Sequence, residues 1–501
     1  MSGLAIIHLY WWMGWLCYVP VFYLLKKHRF DVRNGMLAGA ITGITQAAIT
    51  QSWAFPIVAA FTGHAIFPGI FVWLSLLLFY AAKFMLLFGL AAMLFEWSGY
   101  LKKWRWLIPP TLASAYVALE ALISFAFRGS PWLYHFFGYT QASNIWFLQL
   151  AELGGVGVIS WFLVMINLLL ASYLAGRNKR SLLAAMALLL IIHSYGLVRM
   201  HTLVTPGRET LKLALICDNS PAELRWSESE VNNYIQGLIG LNRQAVMQKP
   251  DIIVWNESVI PWTYRADDDF LLYILEQGRE TGASHLISYF SEPDPGQDNP
   301  ALSAYFIYPD GQVAGRYDKS ELLAGVEKPL FSLFGRSFGQ VSFALDNTHA
   351  GHAENLHPEP ITSHHATIGV MICNESTRDM VAGKLAKQGV DFMVLMSNNA
   401  WLNVSTITRL HFFYTRLRAV ENRTSIAVNA NQGISGLIDH TGKILLASDS
   451  TEPHVFMMEV PKNKANTNFL RNRTVFHLFV FATLAAGVAM LFLLIRKPGL
   501  V

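Results

Sequence analysis

The chain has 501 residues, of which 53% are hydrophobic and only 14% charged. That is too apolar and too sparsely charged for an ordinary soluble enzyme, and a formal net charge of +4 gives no reason to propose nucleic acid as a partner. The average hides a split: up to about residue 200 the chain is mostly apolar blocks, residues 205–473 read like a soluble protein, and the tail from 475 is apolar again.

A bilayer core about 30 Å thick needs about 20 apolar residues per spanning helix. Six such segments are predicted before the soluble part, at 4–25, 35–55, 67–95, 106–127, 145–174 and 182–198, and a seventh follows it at 475–495. The second is polar for a lipid-facing helix, carrying Thr42, Thr45, Gln46, Thr50 and Gln51. Positive charge gathers at Lys26, Lys27, Arg29 and Arg33, at Lys102, Lys103 and Arg105, at Arg177, Lys179 and Arg180, and at Arg496 and Lys497. The intervening loops carry almost none, so seven spans place the soluble part on the non-cytoplasmic face. The first segment has its basic flank after it, the reverse of a signal peptide, and reads as a retained helix. Lys83 and Glu120 fall within spans and Glu152 near an end; Lys83 is expected to snorkel, and Glu120 to pair or to line a lipid cavity.

In the soluble part, strands are predicted at 211–217, 251–255, 285–289, 302–308, 341–345, 367–372, 391–396 and 425–429. Amphipathic helices are predicted at 231–247, 268–281, 380–388 and 407–421. Strands alternating with helices argue for a layered α/β sheet. Residues 346–365 form a polar, His- and Pro-containing insertion that reads as a loop. Its histidines His349, His352, His357, His364 and His365 lack the fixed spacing of metal ligands, so neither metal nor cofactor is expected. There is no internal repeat, glycine-rich phosphate loop, G-x-S-x-G or H-E-x-x-H.

Three runs carry reactive groups at strand ends: Asp251-Ile-Ile-Val-Trp-Asn-Glu257, Gly315-Arg-Tyr-Asp-Lys319, and Gly369-Val-Met-Ile-Cys373-Asn-Glu375. In α/β sheets, sites collect beyond the carboxyl ends of strands, so the three could converge. A thiol is mostly protonated near neutral pH, and acyl attack needs a base or a cationic neighbour. Glu257 can take the proton. Lys319 can stabilise first a thiolate and then the oxyanion, with the backbone N–H after Cys373 as a second donor. On this reading the sulfur is ionised beside an ammonium and a carboxylate. Cys17, in the first span, and Cys217, in the first strand, read as small apolar filler.

These motifs resemble the apolipoprotein N-acyltransferase family, a membrane branch of the nitrilase (carbon-nitrogen hydrolase) superfamily. The resemblance rests on Trp255-Asn-Glu257-Ser-Val-Ile-Pro261, Tyr317-Asp-Lys319 with Glu327 downstream, and Ile372-Cys373-Asn-Glu375. It continues through Ser397-Asn-Asn-Ala-Trp401, His411, Arg416, Arg418 and Glu421 to Asn431-Gln-Gly433. In the apolar part Pro131-Trp132, Gly138-Tyr139-Thr-Gln141 and Glu152-Leu-Gly-Gly155 look like family segments too. The resemblance implies a multi-span α-helical membrane domain over residues 1–204, an extracytoplasmic nitrilase-like αββα sandwich over 205–473, and a last transmembrane helix over 474–501.

It also implies a function. Such enzymes take an acyl chain from a phospholipid, hold it as a thioester, and pass it to the α-amine of the diacylglyceryl-cysteine of an apolipoprotein, in the inner membrane of bacteria. By motif, Glu257 would be the base, Lys319 the oxyanion stabiliser and Cys373 the nucleophile, supported by Glu327, Glu375 and Asn374. Trp226, Trp401, Trp132 and Tyr139 would touch substrate, and a monomer suffices. The chain departs from the family pattern at Asn256 (usually proline), Asn374 (commonly aromatic) and Ser303 (often asparagine), and in having seven spans where eight are usual. Two other readings compete: a membrane-anchored amidase with the same triad, in which water resolves the acyl-enzyme, and a non-catalytic lipid transporter or scaffold.

Overall fold

The computed structural model describes the chain except residues 62–65, 102, 132–133, 204–208, 221–227, 294–298, 325–326, 329–331, 334–335, 338–354, 403–404, 464–466 and 496–501. The predicted strand at 341–345 and His349 and His352 lie outside the described residues. Contacts divide the chain into two compact units, Met1–Thr202 with Arg471–Val501, and Leu203–Leu470.

The first unit is helical. Among the described residues, five helices are long and apolar enough to cross a membrane: Ile66–Gly99, Arg105–Ala126, Val156–Gly176, Lys179–Thr202 and Phe469–Phe492. The first predicted span is not one helix. It forms α1 (Ser2–His8), α2 (Trp11–Gly14) and α3 (Val19–Lys27), broken where Leu9 turns left-handed and before Pro20. Side chains from later in the chain make the break affordable. The freed carbonyls of Leu9, Trp11 and Gly14 accept from Ser143, Gln141 and Asn167, and Asn167 also accepts the Tyr18 N–H. Non-helical backbone is tolerated at membrane depth when its polar groups are met in this way.

The second predicted span forms α4 (Val32–Thr50), which packs on α6 (Ile66–Glu96). A Cβ added at Gly39 or Gly43 would overlap the Phe84 and Tyr80 carbonyls, so a small-residue stripe lets the backbones close up. The fifth predicted span starts late. Gly154 and Gly155 break it, and the long helix α9 begins at Val156 (Val156–Gly176). Lys83 does not snorkel: it is buried, with its ammonium 4.8 Å from the centre of the Tyr116 ring. Glu120 accepts the Phe137 N–H at 2.6 Å, and Glu152 takes a two-point hydrogen bond from Arg199 at 2.6 and 2.8 Å.

The second unit is a four-layer sandwich. One sheet has the order β14-β1-β2-β3-β4-β5 and the other β13-β12-β11-β10-β9-β8. In the first sheet these are β1 (Thr210–Cys217), β2 (Ile252–Val254), β3 (Ser284–Phe290), β4 (Leu302–Ile307), β5 (Val313–Asp318) and β14 (His454–Pro461). In the second they are β8 (Ile361–Thr362), β9 (Thr367–Ile372), β10 (Phe392–Asn398), β11 (Ile426–Asn431), β12 (Ser435–Ile438) and β13 (Ile444–Ser448). Leu213, Leu215, Val254 and Leu286 of the first sheet pack against Ile368, Val370, Val394 and Met396 of the second. Helices α11 (Glu228–Met247) and α12 (Asp269–Gly278) cover the outer face of the first sheet through Leu238, Leu241, Ile274 and Leu275. Helices α13 (Asp379–Lys387) and α14 (Ser405–Asn422) belong to the second sheet.

Inside the first sheet, His285 is fully buried and accepts the Trp255 indole N–H at 3.1 Å. Burial presses its pKa down to about 3, so the folded unit needs it neutral. The unfolded chain takes up that proton near pH 6.5. Stability is therefore fully present above about pH 6.5 and is lost as pH falls towards 3, by on the order of a few kcal/mol. Melting of the purified protein at pH 7.5 and 5 should show the lower midpoint in acid, with a smaller difference in His285→Gln.

Candidate active site

The topology brings three chain ends to one place. β1, β2 and β3 run parallel, and β4 and β5 each reverse, so β5 again runs with β2. Glu257, three residues past β2, and Lys319, the residue after β5, thus emerge from the same end of the first sheet. Cys373 follows β9 and Asn398 ends β10, neighbouring parallel strands of the second sheet.

Lys319 is completely buried. Its Nζ lies 2.9 Å from Glu257 Oε1 and 2.7 Å from Glu327 Oε1. The far oxygen of each carboxylate is held by backbone: Glu257 Oε2 accepts the Asn398 N–H at 2.8 Å, and Glu327 Oε2 the Leu323 N–H at 2.7 Å. Burial by itself would press the Lys319 ammonium down, but Glu257, Glu327 and the neighbouring Cys373 together hold it well above its usual range. Burial raises Glu257, against the pull of Lys319.

The half-buried Cys373 thiol is raised well above its usual value, first by burial and then by the Glu257 charge, with Lys319 opposing. The direction runs against the expectation of an ionised sulfur. With two carboxylates around one ammonium the cluster already carries a net charge of −1, and a thiolate would make it −2 in a dry place. The protonated sulfur is therefore the favoured form, with the Glu257 carboxylate as its acceptor. A transfer of its proton to Glu257 leaves the net charge unchanged.

Cys373 itself sits at φ 53°, the left-handed region, which costs an L-residue about 1–3 kcal/mol. It opens a 3-10 turn, Cys373–Thr377, gripped on several sides. Glu375 is enclosed and accepts from the Ile372 N–H at 2.6 Å, the Ser320 N–H at 2.6 Å, the Ser320 hydroxyl at 2.7 Å, the Glu321 N–H at 3.1 Å and the Tyr317 hydroxyl at 2.9 Å. It therefore ties the cysteine turn to the segment just after Lys319. Burial pushes Glu375 up to about 7 against the pull of these donors. From below, α14 offers two residues seven apart on one face: His411, 3.1 Å from the Cys373 carbonyl, and Arg418, which donates to the Thr377 carbonyl at 3.1 Å and pairs with Glu421. The Asn374 side chain is buried, with neither end of its amide bonded among the described residues.

Glu257, Lys319, Cys373, Glu327 and Glu375 therefore lie in one cluster, with Asn374 at its edge. Trp226 and Trp132 lie outside the described residues, and Trp401 belongs to the short turn Ala400–Leu402. Tyr139 is in the membrane unit, buried in the turn Phe137–Gln141. Ser303 donates to Asp318 at 2.6 Å and Asn256 donates to Asp218, so both departures from the family pattern make hydrogen bonds of their own. Cys17 and Cys217 are buried, Cys217 against Asn429 and Ser435. Among the described residues no group of His, Cys, Asp and Glu is arranged to hold a metal ion. Reading the sequence gave no role to the Asn398 N–H or to Ser320; His411, Arg418 and Glu421 entered there as parts of the family resemblance, without the contacts that bring His411 and Arg418 to the cysteine turn.

Comparison with known proteins gives two family matches: residues 3–169 to the apolipoprotein N-acyltransferase N-terminal domain, and residues 222–467 to carbon-nitrogen hydrolase. Among curated proteins, the apolipoprotein N-acyltransferase of Geobacter metallireducens is 26% identical, covering 97% of this chain and 92% of its own length. That of Vibrio cholerae is 27% identical, covering 94% of this chain and 91% of its own length. Among solved structures, a carbon-nitrogen hydrolase from Helicobacter pylori is 15% identical with a TM-score of 0.36, covering 55% of this chain and 94% of its own.

Because every partner of Glu375 donates to it, Glu375→Gln turns an amide N–H₂ against N–H or O–H groups. The change should lower stability by about 2 kcal/mol and slow alkylation of Cys373. A melting midpoint equal to the parent's would show that the carboxylate does not hold the turn.

Proposed function

Because the chain belongs to the apolipoprotein N-acyltransferase family, we propose that it moves an acyl chain from a phospholipid to the α-amine of the diacylglyceryl-cysteine of an apolipoprotein, through a thioester on Cys373. The observation that carries this reading is the buried ammonium of Lys319 clamped by Glu257 and Glu327 beside a half-buried thiol.

In the first half-reaction Glu257 takes the thiol proton as sulfur attacks the ester carbonyl. The C–S bond forms, and the oxyanion is met by the Lys319 ammonium and the Asn374 N–H. Collapse breaks the C–O bond, and the departing lysophospholipid oxygen takes the proton from Glu257. In the second half the amine attacks the thioester carbonyl, Glu257 receives its proton, and sulfur leaves and is reprotonated. An ester is exchanged for a thioester of comparable reactivity, and that for a more stable amide, so the sequence runs without ATP. The two lipid substrates use one site in turn. Glu327 holds the ammonium in place between turnovers, and Glu375 and Asn374 shape the cysteine turn.

Each acyl CH₂ left in water costs about 0.8 kcal/mol, which is a reason for the catalytic unit to be tethered to apolar helices. We assign Trp226, Trp401, Trp132 and Tyr139 to contacts with these substrates. The alternation of basic and uncharged loops supports a place in the inner membrane with the catalytic unit on the non-cytoplasmic side. The protein acts as a monomer.

Exposure of the purified protein to phospholipid should add one acyl mass to the Cys373 peptide, and none in Cys373→Ala. An acylated Cys373→Ala protein would refute the nucleophile. Glu257→Gln and Lys319→Ala should each slow acyl-enzyme formation by roughly 10²-fold or more. Addition of a diacylglyceryl peptide should yield the N-acylated peptide; release of free fatty acid alone would mean that water is the acceptor.

A further inference from the structure

The peptide that joins Cys373 to Asn374 has two working ends. Its N–H is the backbone donor assigned above to the oxyanion, and its carbonyl oxygen lies 3.1 Å from His411 Nε2. Ser376 completes the contact, with its hydroxyl 2.8 Å from the same ring nitrogen and 3.4 Å from the same carbonyl. We infer that His411 is a positioning residue for the oxyanion, holding this peptide by its carbonyl so that the N–H at the opposite end meets the charge that develops on the substrate.

The geometry carries the assignment. Cys373 is left-handed, so the peptide plane after it is not held by the ordinary preferences of an L-residue. A hydrogen bond at its carbonyl fixes that plane. The same bond polarises the peptide and makes its N–H a better donor, as in any hydrogen-bonded chain. His411 is 2% exposed and neutral, burial pressing it down to about 4. Holding this carbonyl requires the proton on Nε2, because a neutral ring has one N–H and the Cys373 carbonyl can only accept. Nδ1 lies 3.1 Å from the Asn399 side-chain amide at its Oδ1 position, and this tautomer requires the amide to turn its N–H₂ to the ring and to the Ser397 hydroxyl, which lies 3.1 Å from the same amide position. Asn399 in turn is anchored through its backbone to Asn431 of β11. The ring is therefore braced from the sheet side, and its Nε2–H is shared between the Cys373 carbonyl and the Ser376 hydroxyl oxygen, whose own proton goes to the same carbonyl.

The inference rests on the thioester reading, and a chemical contrast separates the two. Attack on a phospholipid ester passes through an oxyanion. Alkylation by iodoacetamide does not, because the sulfur displaces iodide at a saturated carbon. Both rates are read on the Cys373 peptide of the full-length protein by mass spectrometry. His411→Asn, whose amide is too short to replace Nε2, should slow acyl-enzyme formation at least roughly tenfold, short of the 10²–10³ that outright loss of an oxyanion donor costs. Alkylation should stay within about threefold of the parent. His411→Gln, whose amide N–H can stand in for Nε2–H, should restore most of the acylation rate. Equal loss of both rates in His411→Asn would overturn the inference, because the ring would then only be shaping the nucleophile; so would unchanged acylation. Acylation that survives in Cys373→Ala would instead overturn the thioester reading itself, whatever the His411 variants do.

Discussion

One ammonium held between two carboxylates sets the terms for everything around it. Taking Lys319 out of water is costly, and the 2.9 and 2.7 Å contacts to Glu257 and Glu327 offset that cost. Burial first, then the charges of Glu257 and Glu327, act to keep the proton on the Cys373 sulfur, with Lys319 opposing. In the mechanism proposed above the sulfur becomes a nucleophile as Glu257 accepts its proton, a transfer that creates no new net charge in a buried place.

The surrounding fold converts this electrostatic arrangement into fixed geometry. Glu375 ties the cysteine turn to Ser320 and Glu321, the residues just after Lys319. The Asn398 N–H at the end of β10 fixes the far oxygen of the base. Helix α14 reaches the turn at Cys373 and again at Thr377. Each of the three reacting groups is therefore held by a neighbour on a different strand or helix, and the left-handed Cys373 is kept in place by bonds on either side of it.

Much of this was legible in the sequence, and the pattern of what was not is physical. Buried parallel strands read as apolar runs, so β1, β2, β3, β9, β10 and β11 were each predicted within two residues of their ends. β5, β12, β13 and β14 were not among the predicted strands: β5 is an edge strand carrying Arg316 and Asp318, and β13 is an edge whose Leu445 and Leu446 face outwards. Hydropathy located the apolar segments but not their shape. The first is bent because Ser143, Gln141 and Asn167 satisfy its broken backbone, and no window of the segment itself contains those residues. Glu257, Lys319 and Cys373 stood out as reactive types at strand ends. The direction in which the thiol is shifted did not, because it depends on burial and on how closely Glu257 and Glu327 approach the sulfur.

The bend in the first apolar segment has a consequence for biogenesis. The carbonyl of Gly14 and the N–H of Tyr18 are met by Asn167, which leaves the ribosome 149 residues after Tyr18. At synthesis rates of about 5–20 residues per second, that interval is roughly seven to thirty seconds. Gln141 and Ser143, which meet the carbonyls of Trp11 and Leu9, are made only shortly before Asn167. The bend near the start of the chain is thus a shape whose polar groups are met only by residues made more than a hundred positions later.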